Sequence, residues 1–186
     1  MSKLNKIGKL ILLGAGPGDP ELITFKGFRA IRNAKVILYD ALVNPKLLEA
    51  ASDTSIKIAV GKRAGKHSNS QDDINELIVK YVKQKGEVIR LKGGDPYVFG
   101  RGFEEKEYAE LHGIETEYIP GVSSSIALTG LQDIPLTKRG INDGFWVITG
   151  TKSDGNLSKD ISLAVQSSAT VVILMGLRKI EEIAET

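Results

Sequence analysis

The chain has 186 residues, enough for one solid core or two small ones, and its apolar (41%) and charged (26%) fractions are those of a water-soluble globular fold. A formal net charge of +2 gives no general attraction for nucleic acid or membrane, no apolar run reaches the ~18 residues of a membrane span, and Met1 to Lys9 carries no signal-peptide core. The absence of cysteine excludes a disulfide framework, a thiolate metal site and a cysteine nucleophile, and fits a reducing cytoplasm; His67 and His112 show no metal-ligand spacing.

Leu10-Ile11-Leu12-Leu13 reads as a buried strand, followed by Gly14-Ala15-Gly16-Pro17-Gly18-Asp19-Pro20 and a helix from about Thr24 to Ala34. Strand, glycine loop and helix suggest a dinucleotide fingerprint, but Asp19 stands where its third glycine belongs and Pro17 removes an amide donor. A pyrophosphate cradle is therefore disfavoured, and a loop that lets some other ligand approach backbone stays open. Val36-Ile37-Leu38-Tyr39 is a second strand ending at Asp40. A carboxylate there faces the usual crevice of a parallel sheet, or caps the turn Asp-Ala-Leu-Val-Asn-Pro. A short helix from Pro45 to Ala51 and a strand Ile56–Val60 lead into Gly61-Lys62-Arg63-Ala64-Gly65-Lys66-His67. Four potential cations within six residues either grip an acidic ligand or form a solvated loop.

Ser70-Gln71-Asp72-Asp73 resembles a capping box, and Ile74, Leu77, Ile78, Tyr81 and Val82 recur at helical spacing until Gly86. The strand Val88–Leu91 then empties into Lys92-Gly93-Gly94-Asp95-Pro96-Tyr97-Val98-Phe99-Gly100-Arg101-Gly102. This is either a tight strand-to-helix turn or a ligand loop at the carboxyl end of a parallel strand. Phe103 to Leu111 reads as a helix with Glu104, Glu105, Glu107 and Glu110 mostly on a wet face. Glu115–Ile119 is a fifth strand, and Pro120-Gly121-Val122-Ser123-Ser124-Ser125 turns it into a helix ending near Leu131, with more hydroxyls than one cap needs.

Between Asp133 and Asp143 the periodicity lapses into Pro, Gly and charge, as in an interdomain linker. A strand at 145–149, a helix at 157–166, a strand at 170–175 and a helix from Leu177 follow. The pattern predicts an α/β fold: a mainly parallel N-terminal domain over residues 1–134, a linker at 135–143, and an incomplete second α/β domain over 144–186. The glycine- and proline-marked loops 14–20, 61–65, 93–102 and 120–125 would gather on one sheet edge.

At those loops the sequence resembles the tetrapyrrole methylases, and within them the branch that methylates uroporphyrinogen III. The resemblance is carried by Gly14–Pro20, Tyr39–Val43, Gly61–Gly65, Leu91–Gly102, Pro120–Ser124, Pro135-Leu136-Thr137 and Met175-Gly176, in one order over nearly the whole chain. It implies the tetrapyrrole methylase fold and an enzyme that moves two methyl groups from S-adenosylmethionine to ring carbons of uroporphyrinogen III. S-adenosylhomocysteine is left behind, and precorrin-2 forms by way of precorrin-1 for siroheme and cobalamin synthesis. By the same resemblance Pro17, Gly93, Gly94, Asp95, Val98, Ser123, Ser124 and Met175 bind the methyl donor, Asp40 accepts a proton and Lys62 matches a proton donor. The resemblance further implies that Arg101, Glu104 and Arg139 handle the substrate and that the protein forms a homodimer; the chemistry needs no metal, and a cytoplasmic location is expected from the absence of cysteine. An unperturbed lysine holds its proton too tightly to be an easy acid, so carboxylate binding suits Lys62 better.

The family's chain runs several tens of residues further, so this one resembles a C-terminally truncated member. It departs from the usual pattern at Phe103, where glycine is common, and at Lys138 and Thr151, where histidine is. Other readings are a methyltransferase acting on a later precorrin and a non-catalytic module that binds adenosylmethionine or a tetrapyrrole. A nicotinamide dehydrogenase is disfavoured by the broken fingerprint.

Overall fold

The structure is a computed structural model, and it describes residues 7–61 and 70–186. Residues 1–123 and 124–186 form two compact units. The first is a five-stranded sheet of β1 (Lys9–Gly14), β2 (Val36–Tyr39), β3 (Ile56–Ala59), β4 (Glu87–Lys92) and β5 (Glu115–Ile119). Every pairing is parallel and the order is β3-β2-β4-β1-β5.

Strand parity explains why the inner strands are apolar on both faces. Leu10, Leu12, Val36, Leu38 and Val88 pack on one face against α3 (Gln71–Lys85) and α4 (Gly102–Leu111), through Ile74, Ile78, Val79, Val82 and Ala109. Ile11, Leu13, Ile37, Ile89 and Leu91 pack on the other against α1 (Phe25–Asn33) and α2 (Pro45–Glu49), through Ile31 and Leu47. α3 starts at the capping box read from the sequence: the Ser70 hydroxyl accepts from the Asp73 amide, and the Asp73 carboxylate accepts from the Ser70 amide. It stops at Gly86, whose φ of 80° suits a residue without Cβ.

The connections position the site. From β1 the chain crosses β4 to reach β2, whereas from β4 it crosses β1 to reach β5. Neighbouring strands whose connections leave in opposite directions open a crevice at their carboxyl ends, where open α/β sheets bind ligands. The loops after β1 and β4 stand at that switch point and pair backbone to backbone. The Gly16 amide donates to the Gly94 carbonyl at 3.2 Å, and the Gly94 amide to the Gly16 carbonyl at 2.7 Å. The loop after β5 closes on both. A Cβ on Gly121 would lie 2.2 Å from the Gly94 oxygen and 2.7 Å from the Gly14 Cα.

The second unit holds β6 (Phe145–Thr149) and β7 (Thr170–Leu174), a parallel pair, with α5 (Ser124–Gly130), α6 (Asp160–Ala164) and α7 (Ile180–Ala184). Ile148, Ile161 and Ala164 form its small core. Asn142 pins the entry to this sheet, donating to the Leu136 and Gly144 carbonyls and the Thr170 hydroxyl while accepting from the Lys138 amide.

Because the three loops meet through backbone, Gly121→Ala should lower stability by about 1–3 kcal/mol, the usual cost of overpacking a fitted site. Urea unfolding with an unchanged slope checks this, and wild-type stability would show that the loops yield freely.

Candidate functional site

Asp95 is the hinge pin of the crevice. It follows Gly94, which takes φ = 64°, and its buried carboxylate faces back under the loop. Oδ1 accepts from the Tyr97 amide at 2.8 Å, and Oδ2 accepts from the Tyr118 hydroxyl at 2.5 Å and the Gly121 amide at 3.1 Å. One side chain thus turns its own loop and ties it to β5 and the loop beyond. Tyr97 stacks flat on Tyr118, with centroids 4.2 Å apart, and meets the Phe103 ring edge-on at 5.9 Å. Burial first, then the Asp95 carboxylate, pushes the Tyr118 phenol well above its ordinary pKa, so it stays a donor.

Asp40 stands at the end of β2 with its side chain 26% exposed. The cap suggested by its sequence context belongs to Asn44, whose Oδ1 accepts from the Lys46 amide and whose Nδ2 donates to the Gly18 carbonyl. That leaves the Asp40 carboxylate to ion pairs. The Arg90 guanidinium donates to Oδ1 at 2.5 Å, and the Lys92 ammonium lies 3.7 Å from Oδ2. Gly61 packs directly on this residue: a Cβ there would lie 2.2 Å from the Ala41 amide nitrogen and 2.9 Å from the Asp40 carbonyl carbon.

Strand parity brings this cluster together. Residues 36, 38 and 40 of β2 and its end, and 88, 90 and 92 of β4, turn toward α3 and α4. Glu105 meets them from α4. Its Oε1 accepts from Arg90 Nε at 3.2 Å, Lys92 Nζ at 2.9 Å and Gln71 Nε2 at 3.2 Å. Glu105 is therefore not on the wet face expected of it. Its side chain is fully buried, because two strand cations need a counter-charge under the helix, whereas Glu104, Glu107 and Glu110 are exposed. Arg90, Lys92 and Glu105 were missed by sequence reasoning. The available signal was parity: two basic residues in a buried strand, in step with Asp40, require buried anions.

The remaining expected residues lie as follows. Pro17 is half-buried in the β1 loop, Gly93 half-buried against Leu42, and Val98 exposed. Arg101 takes the left-handed conformation at φ = 56°, an uncommon one outside glycine, as the residue before α4. Its guanidinium grips Glu104 in a fork, at 2.9 and 2.6 Å, and holds the Glu104 carboxyl below the usual range. Both side chains are exposed, so the pair adds little stability. Ser123 is buried at the end of the first unit. Ser124, Arg139 and Met175 belong to the second unit, where Ser124 opens α5 and Arg139 is exposed. Met175 follows β7 at φ = 58°, and its carbonyl accepts from the Thr151 hydroxyl at 3.1 Å. Lys62, with Arg63, Lys66 and His67, lies outside the described residues.

The sequence profile of the tetrapyrrole (corrin/porphyrin) methylases matches residues 9–186. The chain belongs to the tetrapyrrole methylases. This methylase is 46% identical over 178 residues to a uroporphyrinogen-III C-methyltransferase of Methanocaldococcus jannaschii, covering 96% of the chain and 74% of that relative. It is 48% identical over 179 residues to a siroheme synthase of Actinobacillus pleuropneumoniae, of which it spans 37%. Among solved structures, uroporphyrin-III C-methyl transferase of Thermus thermophilus, complexed with S-adenyl homocysteine, superposes with a TM-score of 0.80. The two are 38% identical, over 96% of this chain and 74% of that one. A cobalt precorrin-4 methyltransferase shares the fold with a TM-score of 0.82 at 23% identity.

Asp95→Ala should cost about 2–3 kcal/mol, since it strands a buried phenol and a backbone amide that donate to a charged partner, and Tyr118→Phe should cost less. Urea unfolding of both variants checks the order, and an Asp95→Ala protein as stable as wild type would remove the brace.

Proposed function

We propose that the methylase transfers methyl groups from S-adenosylmethionine to uroporphyrinogen III. Two successive transfers pass through precorrin-1 and yield precorrin-2 for siroheme or cobalamin synthesis, in a cytoplasmic homodimer. The observation that carries this reading is the pairing of an Asp95-braced, glycine-walled crevice at the β1/β4 switch point with a half-exposed carboxylate, Asp40, at the end of the next strand. The similarity to a methyltransferase acting on this substrate, over 96% of the chain, supports it.

The crevice suits the methyl donor. Gly14, Gly94 and Gly121 let the three loop backbones meet and form the crevice wall, and Gly93, half-buried beside Leu42, leaves main chain without a side chain for a nucleoside to approach. Pro17, Gly93, Gly94, Asp95, Val98 and Ser123 would hold it in the first unit, with Asp95 acting through the loop shape it imposes. When bound, this group supplies an electrophilic methyl carbon.

The protein's own part is orientation and proton handling. Aligning nucleophile and methyl is the main lever, on the order of 7–11 kcal/mol in well-oriented systems. A new carbon–methyl bond at the macrocycle leaves a proton to be removed, and Asp40 is the acceptor, a contribution on the order of 10²–10⁴-fold. Arg101 and Arg139 bind substrate carboxylates, for which a guanidinium fork is matched in geometry. Arg101 already grips one carboxylate, that of Glu104. Lys62 suits carboxylate binding or charge stabilisation.

An anaerobic assay with uroporphyrinogen III and S-adenosylmethionine, read by product mass, should show two added methyl groups. Arg101→Ala should lower kcat/KM for the tetrapyrrole by about 10–100-fold, the loss of one charge-assisted contact, and leave S-adenosylhomocysteine affinity unchanged in calorimetry. Methylation of a later precorrin alone would move the substrate assignment, and normal turnover by the variant would remove Arg101 from substrate binding.

A further inference from the structure

Beneath the crevice lie two cations and two carboxylates that the fold itself does not require. Well-packed apolar side chains of the same volume stabilise an interior as well as or better than a buried ionic cluster. Arg90 and Lys92 come from β4, Asp40 from the end of β2 and Glu105 from α4. Their contacts are ordered around Asp40. Its Oδ1 faces Arg90, its Oδ2 faces Lys92, and both cations then converge on the single oxygen Oε1 of Glu105. Two further Arg90 bonds, to the Leu38 and Leu91 carbonyls, fix the guanidinium to the sheet. Lys92 has no such backbone anchor among the described residues; its recorded partners are Glu105 and Asp40.

Glu105 is unusual in its own right. Its Oε2 is buried and has no hydrogen-bond partner among the described residues, a costly state for a carboxylate oxygen. Three donors crowd on Oε1 alone. Its charge balances the cluster: without it, two buried cations would face one carboxylate.

We propose that Lys92 and Glu105 are positioning residues for Asp40: Glu105 keeps the Lys92 ammonium charged inside the protein, and that ammonium, opposite Arg90, fixes the Asp40 carboxylate at the mouth of the crevice. The inference rests on the reading of Asp40 as the proton acceptor and assigns the residues that act behind it. Burial, followed by the Arg90 charge, draws the Lys92 pKa below the ordinary lysine value, while Glu105 and Asp40 act in the opposite sense. Among the described residues, the charged groups facing Lys92 are Arg90 on its own strand, Asp40 beyond β2 and Glu105 on α4, with Glu104 at longer range. From α3 the uncharged amides of Gln71 and Asn75 approach Glu105. With Glu105→Gln, burial and Arg90 are opposed chiefly by Asp40, and Lys92 should release its proton at lower pH.

The test is a carbon-13 NMR titration of the whole chain, labelled at lysine Cε and aspartate Cγ, with Lys92→Arg and Asp40→Asn used to assign the signals. In the wild type the Asp40 signal should step at the pH where Lys92 titrates, and in Glu105→Gln both steps should move together to lower pH. Lys92→Arg keeps the charge throughout, retains the fold, and should abolish the Asp40 step. In methyl transfer, the alkaline limb of the Glu105→Gln rate should move to lower pH with kcat down about tenfold and S-adenosylhomocysteine affinity unchanged. An Asp40 signal blind to Lys92, or an active Glu105→Gln protein with the wild-type pH profile, would overturn the assignment. A chain that transfers no methyl group at any pH would remove the proposed function, whereas the carbon signals decide the positioning claim on their own.

Discussion

The carboxylate of Asp95 is the constraint on which the ligand edge of the sheet depends. A loop of two glycines, an acid and a proline has many conformations open to it, and ordering such a chain is unfavourable by about 1–2 kcal/mol per residue. Three donors converging on one buried carboxylate offset that cost and select one shape. The same bonds draw the β5 loop onto the β1 and β4 loops, where glycines at 14, 94 and 121 let the backbones touch. Crevice geometry is thus set by an acid that faces inward, and a ligand meets a surface shaped before it arrives.

A second, ionic layer stands behind the first. Asp40 is half-exposed at the crevice, yet its immediate partners are buried cations, and these in turn lean on a buried glutamate. A low-dielectric interior makes each of these interactions stronger and each omission more expensive. Neutral charge count explains how such a cluster survives folding. Placement of Asp40 at its outer end gives the cluster a use under the role proposed for Asp40, that of holding a proton acceptor in place.

Much of this was legible in the sequence. Alternating strand and helix patterns, the Ser70–Asp73 capping box and the loops 14–20, 93–102 and 120–125 at strand ends follow from local periodicity and turn chemistry, and they stand where that chemistry puts them, while residues 62–65 of the remaining loop lie outside the described residues. The Arg90–Lys92–Glu105 cluster did not show, because its nearest member is 50 residues from Asp40 and basic residues in an apolar strand do not name their partners. Glu105 looked like its exposed neighbours on α4, since helix periodicity does not say which of four glutamates faces a buried cation. Asp40 could have been read as a cap, but Asn44, directly before Pro45, holds that place, and the Asp40 carboxylate pairs with Arg90 instead. The family resemblance pointed to residues at the ends of strands, and it described Asp95 by the ligand, leaving out the protein bonds that occupy its carboxylate.

The most direct test of the account is a proton–nitrogen NMR titration of the chain with S-adenosylhomocysteine. Saturable shifts centred on the amides of Gly16, Gly94 and Gly121, lost in Asp95→Ala, are the predicted result. Binding whose shifts leave those three amides untouched, or no binding at all, would contradict a ligand crevice at the β1/β4 switch point.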